Sequence, residues 1–457
     1  MKTRNRTMLS GPLFPAIIQY TIPIIITSLL QLLFHAADMV VVGRFCGSVS
    51  VAAVGATGAL INLIVNLFIG LSVGTGVTVA HAIGGREDEA VSKTVHTTIP
   101  AALVCGVILT VIGVVFSEQM LIWMGTPDNV LSLSAVYMRI YFGGIIFSML
   151  YNFCSSILRA AGDTKSPLIL LTVSGILNVV LNLIFVVVFH MNVAGVALAT
   201  VISQGFSAVL VIIVLMKRTD ACKLELRKIR FHKQQLMKII RIGLPAGING
   251  SIFSISNVII QSSINSFGDV LMSGSAAAGS IEGFVYVIMN AFSQTAVNFV
   301  GQNHGAHLHK RVKQTWLICF ACAGVLGLCA GLLAFRFAPQ LLSFYITDSQ
   351  DAISYGILRM SYIALTYFLC GMLDSTTGTL RGIGASFTPM VISVLGICVF
   401  RIGWIYTVFQ MPEYHTPGSL FISYPISWVI TLAVELLILL YLLRKTERSH
   451  DKIDAAA

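Results

Sequence analysis

Thr27, Gln31, His35 and Asp38 follow one another at spacings of four, four and three. In a helix that spacing sets them on one face. Further on, Ser174, Asn178 and Asn182 repeat the spacing of four, and Thr200 stands in the next apolar stretch. A single carboxylate ringed by neutral oxygens is chemistry for taking up and releasing a small cation: a proton on the carboxylate, or Na+ among hard oxygen ligands. Asp38, Asn178, Asn182, Thr200, His35 and Gln31 are therefore the candidate cation-coupling residues. Beyond a Na+ at Asp38, no metal is expected. His35, one turn from Asp38, reads either as a proton relay or as a core histidine.

A second group lies in the other half of the chain. Glu282 and Asp374 fall inside apolar stretches, where an unpaired charge costs several kcal/mol unless it faces protein or water. They read as anionic groups that attract a cationic substrate or a proton. Arg401 and Glu435, on adjacent stretches at depths of roughly 18 and 13 Å from the inner face, are expected to pair with each other. Pro23 and Pro245, inside the first and seventh stretches, are candidate bending points during gating.

These residues need helices to hold them. Of the 457 residues 56% are apolar and 11% charged, and mean hydropathy is +0.86, far from a soluble composition. Crossing about 30 Å of hydrocarbon takes about 20 apolar residues per helix. Twelve such stretches are expected, at 14–42, 51–83, 94–116, 133–157, 167–189, 194–216, 240–266, 271–303, 314–338, 354–379, 389–411 and 418–443. The second half repeats the first at an offset of 222: Pro23 with Pro245, Arg159 with Arg381, Gly162 with Gly384, Pro167 with Pro389. Six spans per copy is an even number, so the repeats are parallel, as in many secondary transporters. The expected fold is an all-α integral membrane protein of two six-helix bundles, with a substrate path between them. The divisions are 1–216, a basic linker at 217–239, 240–443 and a tail at 444–457.

The repeat is not chemically even. Asp38, Asn178 and Asn182 correspond to Ile260, Phe400 and Trp404, so a cation site belongs to the first bundle alone. Most of the 29 lysines and arginines fall in segments that share one side of the membrane. That bias puts both termini in the cytoplasm of a cell (inner) membrane. The formal charge of +10 then reports topology and contact with anionic lipid, and nucleic acid is not an expected partner.

No G-x-x-x-x-G-K-[ST] appears, so ATP does not drive the protein directly, and no H-E-x-x-H or G-x-S-x-G occurs. No enzyme, and no cofactor beyond a coupling ion, is expected. No cleavable signal peptide is expected, because the first apolar stretch is too long. Cys319-x-x-Cys322 sits among apolar residues and reads as packing.

With these residues in place the chain resembles the multidrug and toxic compound extrusion (MATE) family, over 10–445. The resemblance rests on Pro23 with "QLLFHAADMVVVGRF", on "AAVGATG", on the matched "LRAAGDTKSP" and "LRGIGASFTP", and on "ALATVISQ". It implies a twelve-helix antiporter that expels cationic, amphipathic drugs and toxic compounds in exchange for H+ or Na+ by alternating access. Asp38 matches the family's first-helix carboxylate, Asn178 and Thr200 match residues near its cation site, and Asp374 matches a tenth-helix carboxylate of the NorM-like branch. One departure stands out: where relatives commonly read Asp-Pro, this chain reads Asn182-Leu183, leaving one carboxylate instead of two. A monomer is expected. The alternative reading is a flippase for a lipid-linked precursor, which would need several basic residues in the central cavity.

Overall fold

A computed structural model describes residues 6–346 and 349–454. Lys2 and Arg4 of the basic N-terminal tail and the last three residues of the C-terminal tail lie outside them. Among the described residues there is no strand. Among them, eleven helices are long and apolar enough to cross a membrane, and a bent pair makes a twelfth span. They are α1 (Leu13–Phe45), α2 (Val49–Gly84), α3 (Asp88–Trp123), α4 (Asp128–Gly143 with Ile145–Ala160), α5 (Lys165–Val188) and α6 (Asn192–Met216). The second set is α7 (Lys233–Asn265), α8 (Asp269–Gly305), α9 (His309–Arg336), α10 (Gln350–Gly382), α11 (Phe387–Gln410) and α12 (Pro417–Lys445). The helix containing α12 continues to Asp454.

Departures from regular helix have local causes. Helix α4 bends by 47° at the adjacent Gly143 and Gly144, a dipeptide with little resistance to kinking. A Cβ on Gly144 would collide with the Val201 side chain of α6, so the bend lets those helices approach. Helices α5 and α11 each contain a π turn, at Ile184–Val188 and Val394–Val399. Such turns interrupt the 3.6-residue rhythm and re-aim the side chains beyond them.

Two compact units form, and their division is not the repeat boundary. Among the described residues the first unit comprises 22–251, and the second comprises Arg6–Thr21 with 252–454. The start of α1 thus packs in the second unit. There the Thr21 and Thr295 hydroxyls meet at 2.8 Å, Tyr20 sets its ring edge-on to Phe299, and Asn303 and Arg311 donate to the Met8 carbonyl. Reciprocally, the start of α7 packs in the first unit. Gly70 and Gly74 of α2 face Gly243 and Gly247 of α7, and a Cβ on any of them would run into the opposite backbone. This is close packing through small residues, as the Gly70-x-x-x-Gly74 spacing indicates.

The basic linker is shorter than the sequence suggested, because α7 starts at Lys233 rather than 240. Lys, Gln, Leu and Met favour helix, and Gln235 and Ile239 are buried, Gln235 accepting a hydrogen bond from Thr94 of α3. What remains, 217–232, holds only a 3₁₀ turn at Leu226–Lys228 and is fastened to the first unit. Arg218 chelates Asp220, Cys222 is buried, and the Glu225 N–H donates to His96 Nε2 at 3.0 Å. The backbone N–H of His232 donates to Thr97 Oγ1 at 3.1 Å.

Candidate functional site

The first unit brings Asp38 to Asn182 through one close helix approach. A Cβ on Gly175 of α5 would fall into the Phe34 ring of α1; only glycine lets that ring lie against α5. One turn beyond Phe34 is Asp38, and two turns beyond Gly175 is Asn182. Asn182 is fully buried, and its amide donates to Asp38 Oδ1. The same nitrogen reaches Asn178 Oδ1 at 3.3 Å, and Asn178 donates to Thr200 Oγ1 of α6 at 3.4 Å. Thr200 completes the row by donating to the Val196 carbonyl at 3.0 Å.

Four predicted residues therefore form one polar row across three helices: Asp38, Asn182, Asn178 and Thr200. Asn182 Oδ1 is buried without a hydrogen-bond partner. A buried lone acceptor beside a carboxylate is a costly arrangement in the absence of a cation or proton donor. The oxygens present, one charged and three neutral, fit either H+ or Na+. Among the described residues Asp38 makes no ion pair, and no cluster of three His, Cys, Asp or Glu could hold a metal ion.

The rest of the α1 face does not join the row. Gln31 and His35 are exposed, and Thr27 is buried with its hydroxyl donating to the Pro23 carbonyl at 2.6 Å. Tyr137 of α4 stands within reach of the Asp38 charge and stacks on Tyr141. Spacing along one helix gave no signal for it, because it approaches from another.

In the second unit Glu282 is not a free anion. It is buried and paired with Arg359, whose Nη2 lies 2.8 Å from Oε2 and whose Nη1 donates to Ser275. Asp374 lies beside Tyr286, Asn290 and Arg381, with Oδ2 buried and unpartnered. Its backbone carbonyl accepts from Ser293 at 2.6 Å.

The expected pairing of Arg401 with Glu435 does not occur. Glu435 is fully buried and accepts from Thr377 at 2.8 and 3.0 Å and from Ser393 at 3.2 Å. Arg401 donates to Ser427 Oγ at 2.9 Å and stacks on Tyr424 and Trp428. A π turn at Val394–Val399 precedes Arg401, and a π turn re-aims the side chains beyond it, so a pairing reasoned from rise per residue alone does not hold here.

Comparison with known proteins agrees with this architecture. The family described as MatE matches residues 23–184 and 245–407, most of the chain. The chain is 27% identical over 421 residues to the probable multidrug resistance protein YoeA of Bacillus subtilis (strain 168), covering 90% of each. It is 22% identical over 386 residues to the multidrug export protein MepA of Staphylococcus aureus (strain MSSA476), covering 84% of this chain and 85% of that one. A solved structure described as the outward-facing conformation of a multidrug resistance MATE family transporter of the MOP superfamily superposes with a TM-score of 0.90 at 22% identity. That superposition covers 98% of this chain and 99% of the other, and shows a shared fold.

Proposed function

The chain belongs to the MatE family, and from that premise we propose that it is a secondary antiporter exporting cationic or amphipathic compounds in exchange for H+ or Na+. The observation that carries the reading is the row Asp38–Asn182–Asn178–Thr200, one carboxylate met by neutral groups with a buried acceptor left open. The curated relatives described as multidrug resistance and export proteins support the substrate class. The charge bias supports a cytoplasmic membrane location with both termini inside.

The mechanism follows from linkage. An ion drives export only if it binds the substrate-loaded and empty forms with different affinity. Asp38 supplies the charge that the ion cancels. In the ionised state it holds the Asn182 amide and so ties α1 to α5. Uptake of H+ or Na+ weakens that tie, because a charge-assisted hydrogen bond is about twice as strong as a neutral one. Helix α1, which carries Pro23 in its interior and there lacks a backbone hydrogen bond, then shifts against α5, and this shift is coupled to release of the compound outward.

The flippase alternative asks for several free cations. Of the three arginines placed in the interior of the second unit, Arg359 is occupied by Glu282, and Arg381 lies in the field of Asp374 and Glu435. Among the described residues only Arg401 of these three lacks an acidic partner, too few to hold a pyrophosphate.

The test is efflux of a cationic dye from proteoliposomes under an imposed pH or Na+ gradient, wild type beside Asp38→Asn. One gradient should drive export in the wild type and neither in the variant. Failure of both gradients with folded wild-type protein would overturn the antiporter.

A further inference from the structure

Helix α7 carries three charged residues, Lys233, Lys238 and Arg241, all basic and all in its first nine positions. With Gln234 and Met237 they line one concave pocket of about 530 Å³. The five stand at i, i+1, i+4, i+5 and i+8, which is one face of a helix. Each of them is exposed, whereas Gln235, Ile239 and Ile242 on the opposite face are buried. Among the described residues none of the three cations makes an ion pair. Two acids of the adjoining linker are already engaged, Asp220 with Arg218 and Glu225 with Lys228.

The internal repeat sets this face apart. Its counterparts 222 residues earlier are Gly11, Pro12, Pro15, Ala16 and Gln19, with no charge among them. There the start of the chain is held by a cation from α9: Arg311 donates to the Met8 and Gly11 carbonyls at 3.2 and 3.1 Å. The counterpart of Arg311 is Glu89, which is exposed and pairs with Lys93. In the first unit, then, the cations sit on the start of α7 itself, and among the described residues no acid meets them. Protein contacts hold only the other face, where Thr94 donates to Gln235 and Gly74 packs on Gly243.

We propose that this face binds the phosphate of an anionic phospholipid of the inner leaflet, such as phosphatidylglycerol, and so anchors the start of α7 in the headgroup layer. The depth fits. Helix α7 has 33 residues, about 50 Å of rise against about 30 Å of hydrocarbon, so its basic first turns stand among headgroups. The lining favours a lipid over a soluble anion. Met237 and Leu244, 57% and 40% exposed, continue the face of Arg241 at spacings of four and three, and offer apolar contact to the chain below a phosphate. Lysine and arginine stems are themselves aliphatic, with the charge carried at the tip. Net positive charge draws anionic lipid to the whole cytoplasmic surface; three unpaired cations around one concavity make a particular place for it. The inference is independent of the antiporter reading.

The experiment is hydrogen exchange over 233–242 of the full chain in lipid-depleted detergent. Dioleoylphosphatidylglycerol, dioleoylphosphatidylcholine or inorganic phosphate is added in turn. The first should protect the segment saturably, and the other two should not. The triple variant Lys233→Gln, Lys238→Gln, Arg241→Gln should need about 100-fold more phosphatidylglycerol, since each cation near an anionic headgroup contributes about fivefold. A control that loses the same charge elsewhere, Lys310→Gln, Lys313→Gln, Arg444→Gln, should titrate as the wild type does. Equal protection of the wild type by phosphatidylcholine or by inorganic phosphate overturns the proposal without recourse to any variant. So does a triple variant that keeps the wild-type titration, or a control that loses as much as the triple variant.

Discussion

Asn182 of α5 donates its side-chain amide to the Asp38 carboxylate of α1, 144 residues away in sequence. The pair joins the one acid of the polar row to a residue whose Oδ1 is buried without a partner. Asn182→Leu should lower gradient-driven dye efflux at least about tenfold with little loss of protein, because the site loses a charge-assisted hydrogen bond of roughly 1.5–3 kcal/mol. Asn182→Asp should do something different. A second carboxylate beside the first raises affinity for Na+, so efflux should respond more strongly to a Na+ gradient. Unchanged ion dependence in Asn182→Asp would remove this residue from the coupling site.

Gly247→Ala should destabilise the first unit. The added Cβ meets the Leu67 carbonyl of α2, and overpacking of this kind costs about 1–3 kcal/mol. Gly58→Ala, with nothing within 4 Å of the new atom, should be neutral or slightly stabilising. Melting in detergent distinguishes the two, and equal midpoints would contradict the close approach of α2 and α7.

Glu282→Gln should lower the melting point sharply, since leaving Arg359 buried and unpaired costs about 3–5 kcal/mol. The double variant Glu282→Leu with Arg359→Met should recover most of the loss. If the double variant folds and exports dye normally, Glu282 serves stability. If it folds and does not export, the carboxylate acts on the substrate.

Hold of the linker on the first unit should weaken in mild acid. Burial, and then the nearby charges of Arg230, Lys93 and His96, push the His232 imidazole below its usual 6.5. The docked form therefore binds fewer protons than the released form, so its contribution is present above about pH 6.5 and lost as pH falls below it. The geometry agrees: His232 Nε2 accepts from Arg230 Nε at 3.0 Å and cannot do so when protonated. Hydrogen exchange over 223–232, corrected for intrinsic rates, should rise between pH 7.5 and 5.5 in the wild type and stay level in His232→Gln.

Much of this architecture is readable without coordinates. Long apolar runs give the twelve spans to within about seven residues at either end, because hydrocarbon thickness sets their length, and α3, α4, α7, α9 and α10 each begin a turn or more early. Rise per residue gives depth, which is why Asp38, Asn178, Asn182 and Thr200 meet. Depth says nothing of azimuth once a π turn intervenes, so Arg401 faces Tyr424 and Trp428 rather than Glu435. Arg359 escaped notice as the partner of Glu282 for a related reason: the two lie 77 residues apart, and no periodicity links different helices. Gly175 is equally silent in sequence, since only the Phe34 ring against it reveals its purpose.

The exchanged starts of α1 and α7 bear on how such a chain arises. Each half, cut at the linker, would lack an arm that the other half supplies: 6–21 for the second unit, 233–251 for the first. A single ancestral copy could satisfy both needs only by trading arms with a twin, a domain-swapped pair. Fusing two copies makes that trade intramolecular and independent of concentration. It also frees each copy to diverge, so that one could keep a carboxylate at 38 while its counterpart became Ile260.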